Sequence, residues 1–472
     1  MSFLTGRVAL TISLLVISMA VFAPMAKGQT LTPAIANDLL SAYEELEQEN
    51  FTGALEKLNT LITRRGDRMT PFDRASVLQI RGSAHVQLEN YESAISDFQA
   101  ALRLEALPQN QSDRLLFNLA QLFYATDQFQ ESINLFGEWI AAGGQATEAT
   151  YFMLAGAHYQ LDQFEDSLRN IERAMELSPQ PNRRNYEFKN VVLNDLGRTA
   201  QRTELLKTMV AIWPDVLTFW RQLIGLFLDQ DDQQSAFAAA EAAYLAGLTE
   251  AENDIRLLAE FYSIYNNPYR GARLIETEME RGRVERNVNN LRLLSQLWSQ
   301  AREHERAIPV LREAASLSST GDLYFRLGQS LLANENNADA EVALTNALDV
   351  GGLSEANQAD AWLLIGTARF NMAQPGDRAQ RALADRAFAE AERFRQTANQ
   401  ARSWRQYIRA VNETETRQAL LEQEQQERLA EAAEERFLQS CRALQIAGRP
   451  LSPECQEVLE AERERLDAPV ED

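Results

Sequence analysis

The chain has 472 residues, 68 of them acidic and 46 basic, giving a formal net charge of -22. Such a surface repels phosphate backbones and anionic membranes, which excludes nucleic acid and favours a protein partner presenting basic patches. The length suits two or three ordinary domains or one elongated array.

Arg7 precedes an apolar run from Val8 to Phe22, followed by Pro24 and small residues. The run falls short of the ~20 residues a spanning helix needs, and Ala26-Lys27-Gly28 supplies a signal peptidase's small–x–small site. Residues 1–28 are therefore predicted to be a cleaved signal peptide that sends the chain to the periplasm. An uncleaved inner-membrane anchor facing the periplasm stays open as the alternative. No Cys follows the run to carry a lipid.

Residues 155–179, AGAHYQLDQFEDSLRNIERAMELSP, read as two short helices folded against each other at Asp162-Gln163. With Glu148 as position 1, Ala155 stands at 8, Ser167 at 20, Ala174 at 27 and Pro179 at 32. Small residues at these crossings let neighbouring helices approach closely. The spacing resembles that of the tetratricopeptide repeat, roughly 34 residues per unit with small residues at those positions. It recurs at Gly82, Ala94 and Ala101, then at Ala120 and Ser132, where Trp139 is bulky at position 27. Ile224, Ala236 and Ala243 follow, then Ala259 and Gly271, then Ser295, Ala307 and Ala314, then Gly328, Ala340 and Ala347. Gly366, Ala384 and Ala391 mark a last unit, lengthened at Gln374-Pro375-Gly376.

A weak first unit around Ala54 and a degenerate one ending at Pro214 bring the count to about ten. The fold class expected is all-α, a tetratricopeptide-repeat superhelical solenoid over residues 35–400. One hairpin cannot bury a core, whereas a stack of hairpins can.

In such a stack the first helices of the hairpins line a concave groove suited to binding another chain. Their fifth position points into it and holds Arg221, Arg256 and Arg292, then Phe325. Asn253, Glu260, Asn289, Gln296, Gln329, Phe370 and Asn371 stand at neighbouring groove positions. These residues form the candidate protein-binding face. Aligned arginines can receive the carboxylates of a peptide. The competing reading pairs each Arg with a nearby acid such as Glu260, and both readings remain open.

Chemistry is sparse. The sequence holds no Gly-rich phosphate loop, no HExxH, no GxSxG and no CxxC. His85 and His158 fall at position 11, a packing position, and His304 falls in a turn between two acids. The expectation is a chain that is not an enzyme, with no catalytic residue, cofactor, metal or small-molecule substrate.

Beyond the array, residues 401–440 read as capping and charged helices, with Arg417–Gln439 rich in Glu, Gln, Arg and Ala. Residues 441–472 read as a Cys-flanked helical hairpin and an acidic tail. Cys441 and Cys455 lie 14 apart, and in an exported chain they can close a small loop as a disulfide.

From Trp213 to Arg409 the sequence resembles exported bacterial tetratricopeptide proteins associated with the TonB–ExbB–ExbD energy-transduction system. The likeness is carried by FWRQLIGLFLDQDD, NNPYRGARLIETEMERGRVERNVNNLRLLSQLWSQA, RAIPVLREAASLSSTGDLYFRLGQSLL, ALDVGGLSEANQADAWLLIGTARFN and SWRQYIRA. Pro268-Tyr269, Gly351-Gly352 and Trp404 are its most specific residues. The resemblance implies a periplasmic scaffold supporting energised transport across the outer membrane. Its partners would be TonB–ExbB–ExbD components or an outer-membrane receptor. An envelope-assembly adaptor for outer-membrane proteins or peptidoglycan enzymes is the alternative. The first four units and the tail after Arg409 lie outside the likeness.

Overall fold

The computed structural model describes residues 30–467, so the signal-peptide expectation and the last five residues lie outside the described residues. Among the described residues there is no strand. The chain divides after Leu248 into two compact units.

The first unit holds six hairpins, each a helix A and a helix B. They are α1–α2 (Pro33–Glu47, Phe51–Arg65), α3–α4 (Pro71–Gln87, Tyr91–Arg103) and α5–α6 (Gln109–Ala125, Phe129–Ala141). Then come α7–α8 (Glu148–Gln160, Phe164–Leu177), α9–α10 (Arg183–Asp195, Thr199–Ile212) and α11–α12 (Leu217–Asp229, Gln233–Leu245). The second unit holds α13–α14 (Glu252–Ile264, Pro268–Glu280) and α15–α16 (Val288–Gln300, His304–Ser316). It continues with α17–α18 (Asp322–Ala333, Asn337–Val350) and α19–α20 (Glu355–Met372, Arg378–Ala391), then α21 (Ala398–Ile446) and α22 (Pro453–Asp467).

The small residues decide the packing. Ala94, Ala101, Ala155, Ala174, Ala307, Ala314, Ala340 and Ala347 are fully buried at helix crossings. A Cβ on Gly82 would run into Phe98, and one on Gly328 into Leu344, so each glycine lets helix B lie directly on helix A. Where position 20 is serine, its hydroxyl donates to the position-8 carbonyl: Ser132 to Ala120 and Ser167 to Ala155, both at 2.8 Å. Buried hydroxyls are thereby satisfied without opening the crossing. Trp139 fits despite its bulk because its ring lies on Phe117 at 4.7 Å between centroids and over Gly144, which has no side chain to obstruct it.

A second device sets the hairpins. Each A–B turn holds one residue with φ between 56° and 82°: Glu49, Glu89, Asp127, Asp162, Gly197, Asp231, Asn266, Arg302, Glu335 and Gly376. From Asp127 to Glu335 these residues recur at steps of 33 to 36, the repeat length. Asp and Asn tolerate this left-handed backbone better than most, and Gly is free of its strain. The turns also confirm ten hairpins among the described residues.

Successive hairpins are tied by side chains. Glu148, opening α7, accepts from Asn182 at 2.5 Å and from the fully buried Asn185 at 2.9 Å. Glu252, opening α13, accepts from the fully buried Asn290 at 2.9 Å and from the Glu285 backbone at 3.0 Å. Each carboxylate sits at the first turn of its helix, where the helix dipole also favours negative charge.

The stack ends on α21. Trp404 lies parallel to Phe388 at 5.3 Å between ring centroids, and Ala401 and Ile408 complete the buried contact. Arg381 is buried, donating to Asn412 at 2.8 Å and pairing with Glu415, whose second oxygen accepts from Gly376 at 3.0 Å. This network anchors the lengthened last turn. The sequence separates a cap from a charged helix, whereas the structure makes them one helix of 49 residues, about 74 Å long at the usual rise. No Gly or Pro stands between Ala398 and Ile446 to break it. From Thr416 to Ser440 all but Ala432 and Leu438 are exposed. At its far end Cys441 and Cys455 pair across the turn into α22, Cα atoms 5.3 Å apart, a spacing a disulfide needs.

Candidate protein-binding face

Within each unit every helix A after the first packs against the helix B before it and against its own helix B, and some successive A helices also touch, α1 with α3 and α17 with α19. The A helices therefore present the candidate face. In the second unit Arg256 on α13 and Arg292 on α15 are half-buried, and the Nε of each is buried with no hydrogen-bond partner. Their stems lie against the helices and carry the guanidinium heads outward.

Arg292 reaches an acid, but it is Asp322 at 3.4 Å and not Glu260. That pair is long and partly solvated, so it contributes little. Around them Asn253, Glu260, Asn289, Gln296 and Gln329 are exposed. The Glu252 carboxyl is held below its ordinary range chiefly by the Asn290 hydrogen bond, next by the Glu285 backbone N–H, and weakly by the Arg256 charge.

Four of the expected residues stand elsewhere. Phe325 is only 6% exposed and packs among Leu344, Leu353, Ala361 and Ile365, so it belongs to the core and not to the groove. A phenyl ring has no charged head to keep in water, and it turns inward where an arginine turns out. Phe370 is half-buried between Trp404 and Tyr407, at 5.2 and 5.6 Å between centroids, while exposed Asn371 donates to Asn337 at 3.1 Å. Arg221 is exposed on α11 and belongs to the first unit, whereas Arg256 and Arg292 belong to the second.

The histidines have no shared site. His158 bonds Gln163 at 2.6 Å, His85 is half-buried with its pKa lowered mainly by burial, and His304 opens α16 instead of lying in the turn. Among the described residues no group of three His, Cys, Asp or Glu side chains is placed to hold a metal. No helix among them is long and apolar enough to cross a membrane.

Residues 75–106, from α3 through α4, match the family described as tetratricopeptide repeat. The fold is a tetratricopeptide-like stack of helical hairpins. No curated protein matches it. Among solved structures it is similar to a tetratricopeptide repeat protein from Parabacteroides merdae, at 12% identity and a TM-score of 0.33, covering 56% of this chain and 99% of that one. It is also similar to the C-terminal part of a tetratricopeptide protein from Cytophaga hutchinsonii, at 14% identity and a TM-score of 0.33, covering 52% and 98%. A third is YrrB, a tetratricopeptide protein with an unusual peptide-binding site, at 13% identity and a TM-score of 0.31, covering 39% and 90%. The fold assignment rests on this tetratricopeptide array's own hairpins and their recurring turns.

The first unit carries a face that the sequence reading passed over. Tyr124, Phe152 and Tyr159 are half-buried on α5 and α7, and the Arg184 guanidinium lies 3.8 Å from the Phe152 ring centroid. Tyr159 donates to Asp195 at 2.6 Å, and its phenol is pushed up to about 12 by burial first and by that bond second. The signal was present as aromatic residues at positions five and twelve of these units, which the search for aligned charges did not weigh.

Proposed function

We propose that the chain is a non-catalytic periplasmic scaffold that captures an acidic segment of a protein partner along the A helices of the second unit. The observation carrying this reading is the pair Arg256 and Arg292, which share one helical position and each hold a buried Nε with no hydrogen-bond partner. A buried donor left unpaired is unfavourable, and a partner's carboxylate restores the missing bond. Export is supported by the apolar run from Val8 to Phe22 and by the close approach of Cys441 and Cys455, a pairing that persists in oxidising compartments. The resemblance from Trp213 to Arg409 supports a role beside the TonB–ExbB–ExbD system in energised transport across the outer membrane.

Replacing Arg221, Arg256 and Arg292 by Ala tests the reading. Each carboxylate contact contributes about 1–3 kcal/mol if partly desolvated, so capture of the partner from crosslinked envelopes should fall sharply with helicity intact. Raised salt should reproduce part of the loss. Capture at wild-type affinity would remove the arginines from the binding face. Recovery of cell-wall enzymes in place of TonB–ExbB–ExbD components or an outer-membrane receptor would shift the role to envelope assembly. Mass spectrometry of the envelope protein should find Gln29 at the N-terminus, and an intact Met1 would favour the anchor.

A further inference from the structure

We propose that α21 is a dimerisation rod, along which two copies of the chain pair antiparallel about Gln425. The proposal is independent of the arginine groove, which lies on other helices. Read outward from Gln425, steps of four, three, four, three and four residues lead down through Leu421 to Tyr407. The same steps lead up through Leu429 to Ala443, and three more residues reach Ile446. Such steps trace one face of a helix, with a stutter of the heptad at Gln425. Tyr407, Leu421, Leu429 and Ile446 are all exposed on this line. None of its twelve positions is Asp or Glu, although six glutamates stand between Thr416 and Ser440. Two strongly acidic chains can therefore meet along it.

The symmetry of the spacing selects a second copy as the occupant. Turned end for end about Gln425, every position from Tyr407 to Ala443 meets another position of the same line. Leu421 meets Leu429 of the second copy, Gln418 meets its Ala432, and Tyr407 meets its Ala443. A two-fold pair requires such self-complementarity, and an unrelated partner does not. Gln425 meets itself, where two carboxamides can bond each other and fix the register. The flanking charges match as well: Arg417 comes beside Glu435 of the second copy and Arg428 beside its Glu424, each pair within one turn. A parallel pair would instead set Arg436 against Arg436. The helix needs no ordering before it pairs, since Arg381 holds its base through Asn412 and Glu415 and the Cys441–Cys455 link holds its tip. Ala401, Ile408 and Asn412 face α20 and Cys441 faces α22, all of them off the line, so the face stays open.

Sedimentation equilibrium of the full chain should show a reversible dimer. Leu420 and Leu421 are equally exposed at 55%, but only Leu421 stands on the line, so they make a matched pair. Leu421→Glu should weaken the dimer about a hundredfold and Leu420→Glu by no more than about twofold, with circular dichroism unchanged in both. Orientation is read with Gln418→Cys and Ala432→Cys, mixed as two single variants and treated with a short bismaleimide. An antiparallel pair links one variant to the other and neither to itself, because each cysteine then lies 14 residues, ~21 Å, from its own copy. A chain that stays monomeric at ~100 µM overturns the proposal and leaves the face to a different protein. Equal weakening by the two leucine changes, or none by either, overturns it as well. Either cysteine variant linking to itself would show a parallel pair and overturn the antiparallel arrangement.

Discussion

On α3, α5 and α7 of the first unit the fifth position of helix A holds Gln79, Phe117 and Phe152, and on α13 and α15 of the second it holds Arg256 and Arg292. The hairpins beneath are alike: small residues fill the same crossings, a left-handed residue turns each helix A into helix B, and a first-turn glutamate ties one hairpin to the next. The difference lies in side chains that the stacking does not need. A repeat array can hold its core positions constant and vary the groove one hairpin at a time, since each hairpin contacts only its neighbours. Glu187 on α9 and Arg221 on α11 put charge at that position inside the first unit, so chemistry and unit boundary do not coincide.

The largest expected effect concerns the part of the second unit with no counterpart in the first. Closing the 14-residue separation between Cys441 and Cys455 stabilises the tip by about 3 kcal/mol in the chain-entropy model. Reduction should therefore speed hydrogen exchange in α22 while both stacks keep their protection. Free thiols on alkylation of the native envelope protein would show that the tip is held by packing alone.

Next, overpacking one unit should leave the other standing. Gly328→Val drives a side chain into Leu344 and Gly82→Val drives one into Phe98, each costing about 1–3 kcal/mol. Hydrogen exchange should quicken in the second unit for the first change and in the first unit for the second. Equal loss in both units from either change would merge them into one cooperative body and break the comparison.

A smaller effect separates glycine from the other turn residues. Gly197 has φ 66°, where any Cβ is strained, so Gly197→Ala should destabilise the first unit by about 1–2 kcal/mol. Asp162→Gly, at φ 56°, should be near neutral, because relieved strain offsets greater freedom of the unfolded chain. A thermal melt of each variant checks the pair, and equal losses would mean that the turn conformation does not matter.

These contrasts also mark what was legible in the residues. Ala155, Ser167 and Ala174 stand in register and are buried at crossings, because steric need acts at a fixed spacing and leaves a periodic trace. The turns leave one too, since the left-handed site recurs one repeat apart, but five residue types occupy it and composition hides it. The ties from Glu148 to Asn185 and from Glu252 to Asn290 join residues 37 and 38 apart, where no local pattern points. Phe325 misled because position five sits at the groove's edge, and its ring is taken into the cluster of Leu344, Leu353, Ala361 and Ile365. The three arginines were legible as aligned positions, while the unpaired Nε atoms of Arg256 and Arg292 were visible only once neighbouring helices were in place.

The smallest effect, and the one most specific to the second unit, is its response to acid. Asn290 is fully buried and donates to Glu252, and this bond, ahead of the Glu285 backbone N–H, holds the Glu252 carboxyl below its ordinary value of 4.5. A carboxyl depressed in the folded state binds fewer protons there than in the unfolded chain, so its stabilisation is complete above pH 4.5 and is lost as pH falls through the lower folded value. Protonation removes the charge and turns one Glu252 oxygen into a donor, which weakens the acceptor facing a buried amide whose other bond runs to the Glu285 carbonyl at 2.8 Å, and the junction between α13 and α15 loosens while the helices themselves persist. Glu252→Gln keeps the size and removes the titration, so the variant should lose some stability at neutral pH and show a shallower decline towards acid. Hydrogen exchange at the start of α15, followed between neutral and acid pH, reads that slope directly. If wild type and Glu252→Gln decline in parallel, the tie contributes nothing to the second unit's acid response, and the carboxyls pairing with arginines along α20 and α21 are the ones to test.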